Sequence, residues 1–159
     1  MALRKILTFG DGQLNKKCRI VEKVDDRIIN LLDDMAETLY ESGGVGLAAP
    51  QVGIRKRIVV MDVDDGNQYV LINPEILEMS GSQTGQEGCL SVPGKRGEVT
   101  RANYVKVKAL NENMEEFILE GEELLARCIQ HECDHLDGHL YVEKVEEGQL
   151  YDVVDEDEE

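Results

Sequence analysis

At 159 residues the chain has the length of one domain with a real core, and a hydrophobic share of 42% suits a folded protein rather than a disordered one. A net charge of −16 argues against nucleic-acid binding, which wants a basic face, and no apolar run approaches the ~20 residues of a membrane span. Aromatic residues make up only 4%, with no Trp, so the core must be built mostly from Leu, Ile, Val, Met and Ala.

The N-terminus, Met1-Ala2-Leu3-Arg4-Lys5-Ile6-Leu7, turns polar too soon for a signal peptide, so the protein is expected to be cytoplasmic with its four cysteines reduced. Residues 1–24 show little periodicity and read as an irregular arm. Asp25-Asp26 open a helix whose Ile28, Leu31, Leu32, Met35 and Leu39 share one face, and Gly43-Gly44 stop it. Asp33, Asp34, Glu37 and Glu41 are expected on its wet side. Residues 43–53 are small and apolar with four glycines, which suits either a close approach of a ligand or a tight connection to the next strand.

Strands follow at Arg57–Val63 and Tyr69–Ile72, joined by the turn Asp64-Asp65-Gly66-Asn67. Asn73-Pro74 is expected to break the second, with a further short strand at Glu75–Met79 and a polar, Gly-rich loop over 81–88. Tyr104–Leu110 alternates as a half-buried strand, Asn111-Glu112-Asn113 turns, and Glu116–Leu119 returns. Gly121-Glu122-Glu123 opens a second helix through His135 that ends before Gly138. The class is α+β: antiparallel sheets around a central helix, with the other helix packed outside. The domain is expected over 1–142. Residues 143–159 hold nine acids against one lysine, a net of −8, and read as a solvated acidic tail.

The chemistry concentrates in Gln130-His131-Glu132-Cys133-Asp134-His135. Two histidines four apart lie on one face of a helix, one turn from each other, and can hold a divalent metal, with Glu132 placed to take a proton from its water. A tetrahedral site needs a third protein ligand. Cys133 lies about 200° around the helix from His131, Cys128 is about 10 Å along the axis from His135, and His139 is about 12 Å from His131. Cys89, presented in a Gly-flanked segment beside Glu87, leads by spacing only modestly over Cys18. Tyr141 stands where one protease class places a third histidine. Another class would need a glutamate from Glu143, Glu146 or Glu147, so a zinc metalloprotease of the His-Glu-x-x-His type is the alternative.

Three motifs in this order, Gly44-Val45-Gly46-Leu47-Ala48-Ala49-Pro50-Gln51, Glu87-Gly88-Cys89-Leu90-Ser91 and Gln130–His135, resemble those of the peptide deformylases. These hydrolases remove the formyl group from the formyl-methionine of nascent polypeptides. The resemblance covers roughly residues 1–142. It implies Cys89, His131 and His135 as ligands of one metal, Fe2+ in this family, replaceable by Zn2+, Ni2+ or Co2+. It implies Glu132 as general base and then acid, and the side-chain amide of Gln51 with the backbone N–H of Leu90 as the oxyanion site.

The same resemblance implies that Gly46 and the segments at 44–46 and 87–89, including Glu87 and Gly88, bind the substrate backbone. Val45, Leu124 and Cys128 would line the methionine pocket, and Arg96 would contact the peptide. The family usually carries a Pro-Asp and a Leu-Arg pair near the N-terminus, where this chain reads Asp11-Gly12-Gln13-Leu14-Asn15. Some relatives dock on ribosomal RNA through a basic C-terminal helix. Phosphate would repel the −8 segment here, so the expectation is proximity to the ribosome without docking by the tail, no direct nucleic-acid binding, no membrane, and a monomer.

Overall fold

The computed structural model describes residues 3–8, 10–141 and 150–152. Met1-Ala2, the candidate glutamates at 143, 146 and 147, and the run Asp155–Glu159 lie outside the described residues. The expected α+β class is what the chain adopts. Among the described residues, two α-helices, α1 (Asp26–Ser42) and α2 (Glu123–Leu136), accompany eight strands: β1 (Gly46–Ala48), β2 (Ile58–Met61), β3 (Tyr69–Ser80), β4 (Gln83–Cys89), β5 (Val92–Arg101), β6 (Tyr104–Leu110), β7 (Glu116–Glu122) and β8 (Leu150–Asp152). The strands form an antiparallel sheet of five, β1-β2-β3-β6-β7, and a second of three, β4-β5-β8. No helix among the described residues is long and apolar enough to cross a membrane.

Strand β2 shows how the layers are held. Its alternate side chains leave by opposite faces. Ile58 and Val60 pack with α1, while Val59 and Met61 pack with Ala126, Ile129 and Leu136 of α2. The large sheet therefore lies between the helices, and α2 is buried between that sheet and the β4-β5-β8 wall.

Helix α1 starts where expected: the Asp25 carboxylate accepts from the Ile28 N–H at 3.1 Å, and Gly43 ends the helix at φ 76°. Asp34 departs from the wet side assigned to it. The N-terminal arm covers it, Arg4 pairs with its carboxylate at 2.9 Å, and the Arg4 N–H donates to Thr38. An arm without periodicity gives no sign in sequence of where it lands.

The strand expected to break at Asn73-Pro74 continues instead as β3. Asn73 takes a positive φ of 51°, and the pairing with β6 shifts between Ile72 and Glu75, so a bulge absorbs the irregularity. Its side-chain amide donates to the Val21 carbonyl and accepts from the Val21 N–H, both at 2.8 Å, strapping the arm to the sheet.

The expected loop over 81–88 is also mostly strand. Gly81, at φ 70°, and Ser82 make the turn; β4 pairs with β5 from Gln83 onward. Two of its glycines make room for arginines. A Cβ on Gly88 would lie 2.8 Å from an Arg96 nitrogen, and one on Gly85 would lie 3.4 Å from Arg127. Helix α2 begins at Glu123 rather than at Gly121, which belongs to β7 beneath Leu125. Within the span assigned to the tail, Leu150–Asp152 pair with Lys95–Gly97 of β5.

The far end of α2 meets the arm. The Cys18 N–H donates to the Leu136 carbonyl at 2.8 Å, and Arg57 reaches the same carbonyl. Just beyond, Gly138 at φ 85° passes so close to Asn15 that a Cβ would lie 2.8 Å from its backbone.

Candidate active site

Helix α2 aims Cys128, His131, Glu132 and His135 toward β1 and the end of β4, as four-and-three spacing requires. The Sγ of Cys89 and a ring nitrogen of each of His131 and His135 lie within 4.8 Å of one another. The other candidates are elsewhere. Cys18 is buried at the end of α2, and burial pushes its thiol up to about 11. Cys133 is buried on the other side of the helix, its thiol pushed up to about 12 by the same cause. His139 lies beyond the helix end and is not in the group.

The donor set fits a divalent metal. His131 Nδ1 bonds Glu87 at 2.8 Å, which leaves Nε2 for the metal side, and His135 Nε2 is 3.3 Å from the Cys89 sulfur. Among the described residues, Glu132 Oε1 and His135 Nδ1 are buried without a hydrogen-bond partner. A buried carboxylate oxygen left without a partner, one residue from His131 in that donor set, suits a water or ion in the site.

Electrostatics separate the two glutamates of the site. Burial opposes ionisation of Glu87, but bonds from Arg101 and His131 outweigh it and hold the carboxyl at about 2. Burial dominates at Glu132; the nearby His131 lowers its pKa and Glu87 raises it, for a net rise to about 7. Burial likewise opposes a charge on His131, yet bonds to Cys89 and Glu87 raise it to about 10. Burial and the neighbouring His131 and Arg101 push His135 well below the usual histidine range.

Glu87 is thus not a surface for substrate through its side chain. It is 5% exposed and accepts from Arg101, Arg127 and His131. What remains available along Glu87–Cys89 for substrate is backbone.

Gln51 is placed by a 3₁₀ turn, Ala49–Val52, that follows β1. Its Oε1 accepts from the Ala48 N–H at 2.9 Å, which turns its NH2 group inward, 3.0 Å from Ser91 Oγ and 3.5 Å from Cys89 Sγ. A cleft of about 980 Å3 opens above, lined by Val45, Gly46, Leu90, Arg96, Leu124 and Cys128. Gly46 has to be glycine, because a Cβ would run into Glu132 Oε2 and lie 2.9 Å from Cys128 Sγ.

Sequence reasoning missed Arg101, Arg127, Ser91 and the part played by Tyr141. Arg127 stands four residues before His131 on the same face of α2, a signal that could have been used. Ser91 lay inside a quoted motif without a role. Tyr141 was met only as a departure from a protease pattern, yet its ring stacks on His131 with centroids 5.9 Å apart. Arg101 ends a strand that had no sequence assignment.

Residues 3–150 match the family model described as polypeptide deformylase. A peptide deformylase of Agathobacter rectalis is 66% identical over 157 residues, covering 99% of this chain and 98% of that protein. A peptide deformylase structure from Legionella pneumophila superposes with a TM-score of 0.88 at 45% identity, covering 91% of this chain and 87% of the other. One from Ehrlichia chaffeensis, in complex with actinonin, reaches 0.90 at 40% identity, covering 92% and 91%.

Proposed function

The chain belongs to the polypeptide deformylase family, and we propose that it removes the formyl group from formyl-methionine of nascent polypeptides with Cys89, His131 and His135 holding one divalent metal. The observation that carries this assignment is the convergence of those three donors within 4.8 Å, beside a buried Glu132. The enzyme is a metal-dependent hydrolase; Fe2+ is the ion we assign, with Zn2+, Ni2+ or Co2+ as substitutes. A thiolate with two imidazoles suits Fe2+.

When bound, the metal supplies Lewis acidity that makes hydroxide available near neutral pH. Glu132 accepts the proton of the attacking water and passes it to the departing amine, giving formate and a free N-terminus. Burial that raises its carboxyl to about 7 suits a group that must do both. The Gln51 amide and the Leu90 N–H face the oxyanion that develops on the formyl oxygen. Ser91 and the Ala48 N–H hold the Gln51 amide in that direction.

The peptide lies extended between the segments at 44–46 and 87–89 as an added strand. Its methionine side chain enters the apolar part of the cleft beside Val45, Leu124 and Cys128, and Arg96 meets the residues beyond. Gly46 leaves space for the small formyl group next to Glu132 and little for larger acyl groups. The enzyme works in the cytoplasm as a monomer near the ribosome, without docking on RNA through its acidic C-terminal residues.

The test is hydrolysis of formyl-Met-Ala-Ser by the Fe2+ or Ni2+ form. Turnover is expected, with loss of metal and activity in Cys89→Ala. A metal-loaded chain with no turnover would overturn the reading. A protease with a downstream glutamate ligand would keep its metal in Cys89→Ala.

A further inference from the structure

Glu87 is held by more than its histidine requires. Its Oε1 accepts from His131 Nδ1 and Arg101 Nη2, both at 2.8 Å, while Oε2 accepts from Arg101 Nε and Arg127 Nη1, both at 2.5 Å. Four donors fill the acceptor positions of one carboxylate, so its plane is fixed from both oxygens. Arg101 divides its charge between Glu87 and Asp134, whose Oδ2 lies 2.8 Å from Arg101 Nη1, so Glu87 draws on a second guanidinium. The second is buried as well: Arg127 is 7% exposed, and desolvating a cation is costly unless it is fully bonded.

It is fully bonded. Arg127 Nε donates to Gln83 Oε1 at 3.1 Å, and Nη2 donates to the Val99 carbonyl at 3.0 Å. Gly85 leaves the room its guanidinium occupies. Arg127 and His131 are one turn apart on α2 and reach the two oxygens of the same carboxylate. Arg127 also borders the cleft, while its guanidinium bonds Glu87, Gln83 and the Val99 carbonyl.

We propose that Arg127 is a positioning residue for the metal site: through Glu87 it fixes the ring of His131, and so tunes how tightly the donor set of Cys89, His131 and His135 grips a divalent ion. The proposal rests on the metal-site reading given above. Removing Arg127 leaves Glu87 only the guanidinium it shares with Asp134 and frees Oε2 on one side, so the carboxylate turns and His131 follows. Groups that orient a ligand in this way are worth about 10- to 100-fold in metal affinity.

The probe is Co2+ alone, titrated against a chelator, with the visible absorption of the thiolate-bound ion recorded and no substrate present. Arg127→Met is expected to weaken Co2+ binding at least tenfold and shift the absorption bands; Arg127→Lys, which keeps the charge without the planar fork of donors, is expected to fall between it and wild type. Gly85→Val keeps the arginine but takes its space, and should reproduce the loss if Arg127→Met fails to fold. Wild-type affinity and an unchanged spectrum in Arg127→Met, or in Gly85→Val if that is the folded variant, overturn the proposal alone. A wild-type chain that binds no Co2+ overturns the metal-site reading and the proposal with it.

Discussion

Gly46 and Glu132 occupy adjoining space: β1 passes the helix so closely that a single methyl group at 46 would run into the Glu132 carboxylate. The position of the Glu132 carboxylate is therefore set by the missing side chain on the strand opposite. Gly46→Ala should displace Glu132 and lower kcat on formyl-Met-Ala-Ser by about 100-fold, the scale of a small misplacement at a reacting centre. Metal content measured per chain should stay at the wild-type value. Unchanged kcat would show that the carboxylate moves aside without consequence.

Glu132→Gln keeps the size of the side chain and removes its basicity. Loss of general acid–base catalysis is typically about 10²- to 10⁴-fold, and that is the fall expected in kcat with metal retained. A near-full rate would take the base role from Glu132.

The Gln51 amide donates to Ser91 Oγ at 3.0 Å, and in the proposed mechanism the first residue acts while the second aims it. Gln51→Leu should cost about 10²- to 10³-fold in kcat, as loss of an oxyanion donor does. Ser91→Ala keeps the amide but removes one of its partners, and should cost about tenfold. Equal losses in the two variants would contradict this division.

Cysteine chemistry offers a check without substrate. Burial raises the thiols of Cys18 to about 11 and Cys133 to about 12, and pushes Cys128 well above its ordinary value. A raised thiol pKa leaves little thiolate at neutral pH, so these three should resist alkylation until the pH climbs toward those values or the chain unfolds. Cys89 is the half-buried one at the cleft. In metal-free protein it should be modified first by iodoacetamide, as mass spectrometry of peptides would show, and added Ni2+ should protect it. Faster labelling of Cys128 would mean that the cleft opens further than its packing suggests.

Asn73→Ala removes two hydrogen bonds to Val21 and leaves a residue other than Asn or Gly at positive φ. A loss of about 2 kcal/mol is expected from thermal unfolding, with the active-site donors untouched. A Tm within a degree of wild type would show that the arm is held by its other contacts.

The sequence reveals this protein unevenly, and the reasons are physical. The apolar stripe of α1 and the four-residue spacing of the histidines are periodic signals, and local geometry converts them directly into a face and a site. Cys89 could be favoured over Cys18 only modestly by spacing, because 42 residues separate it from His131 and nothing local records which strands will meet. The β4-β5 wall was hidden for a different reason. Its glycines read as loop chemistry, yet they are strand residues whose missing side chains accommodate Arg96 and Arg127. Arg101 is invisible by pattern, since a buried arginine is recognisable only once its carboxylate partner is known.

The junction of the arm with the end of α2 has a consequence in time. Cys18 is bonded to Leu136, and Asn15 lies against Gly138, so residues made early in synthesis wait for partners made near its end. Both histidines of the site are on that late helix. Contacts of such long range form slowly and only after most of the chain exists. A growing copy of this chain can therefore acquire no such donor set from about its first hundred residues, since His131 and His135 are still to come.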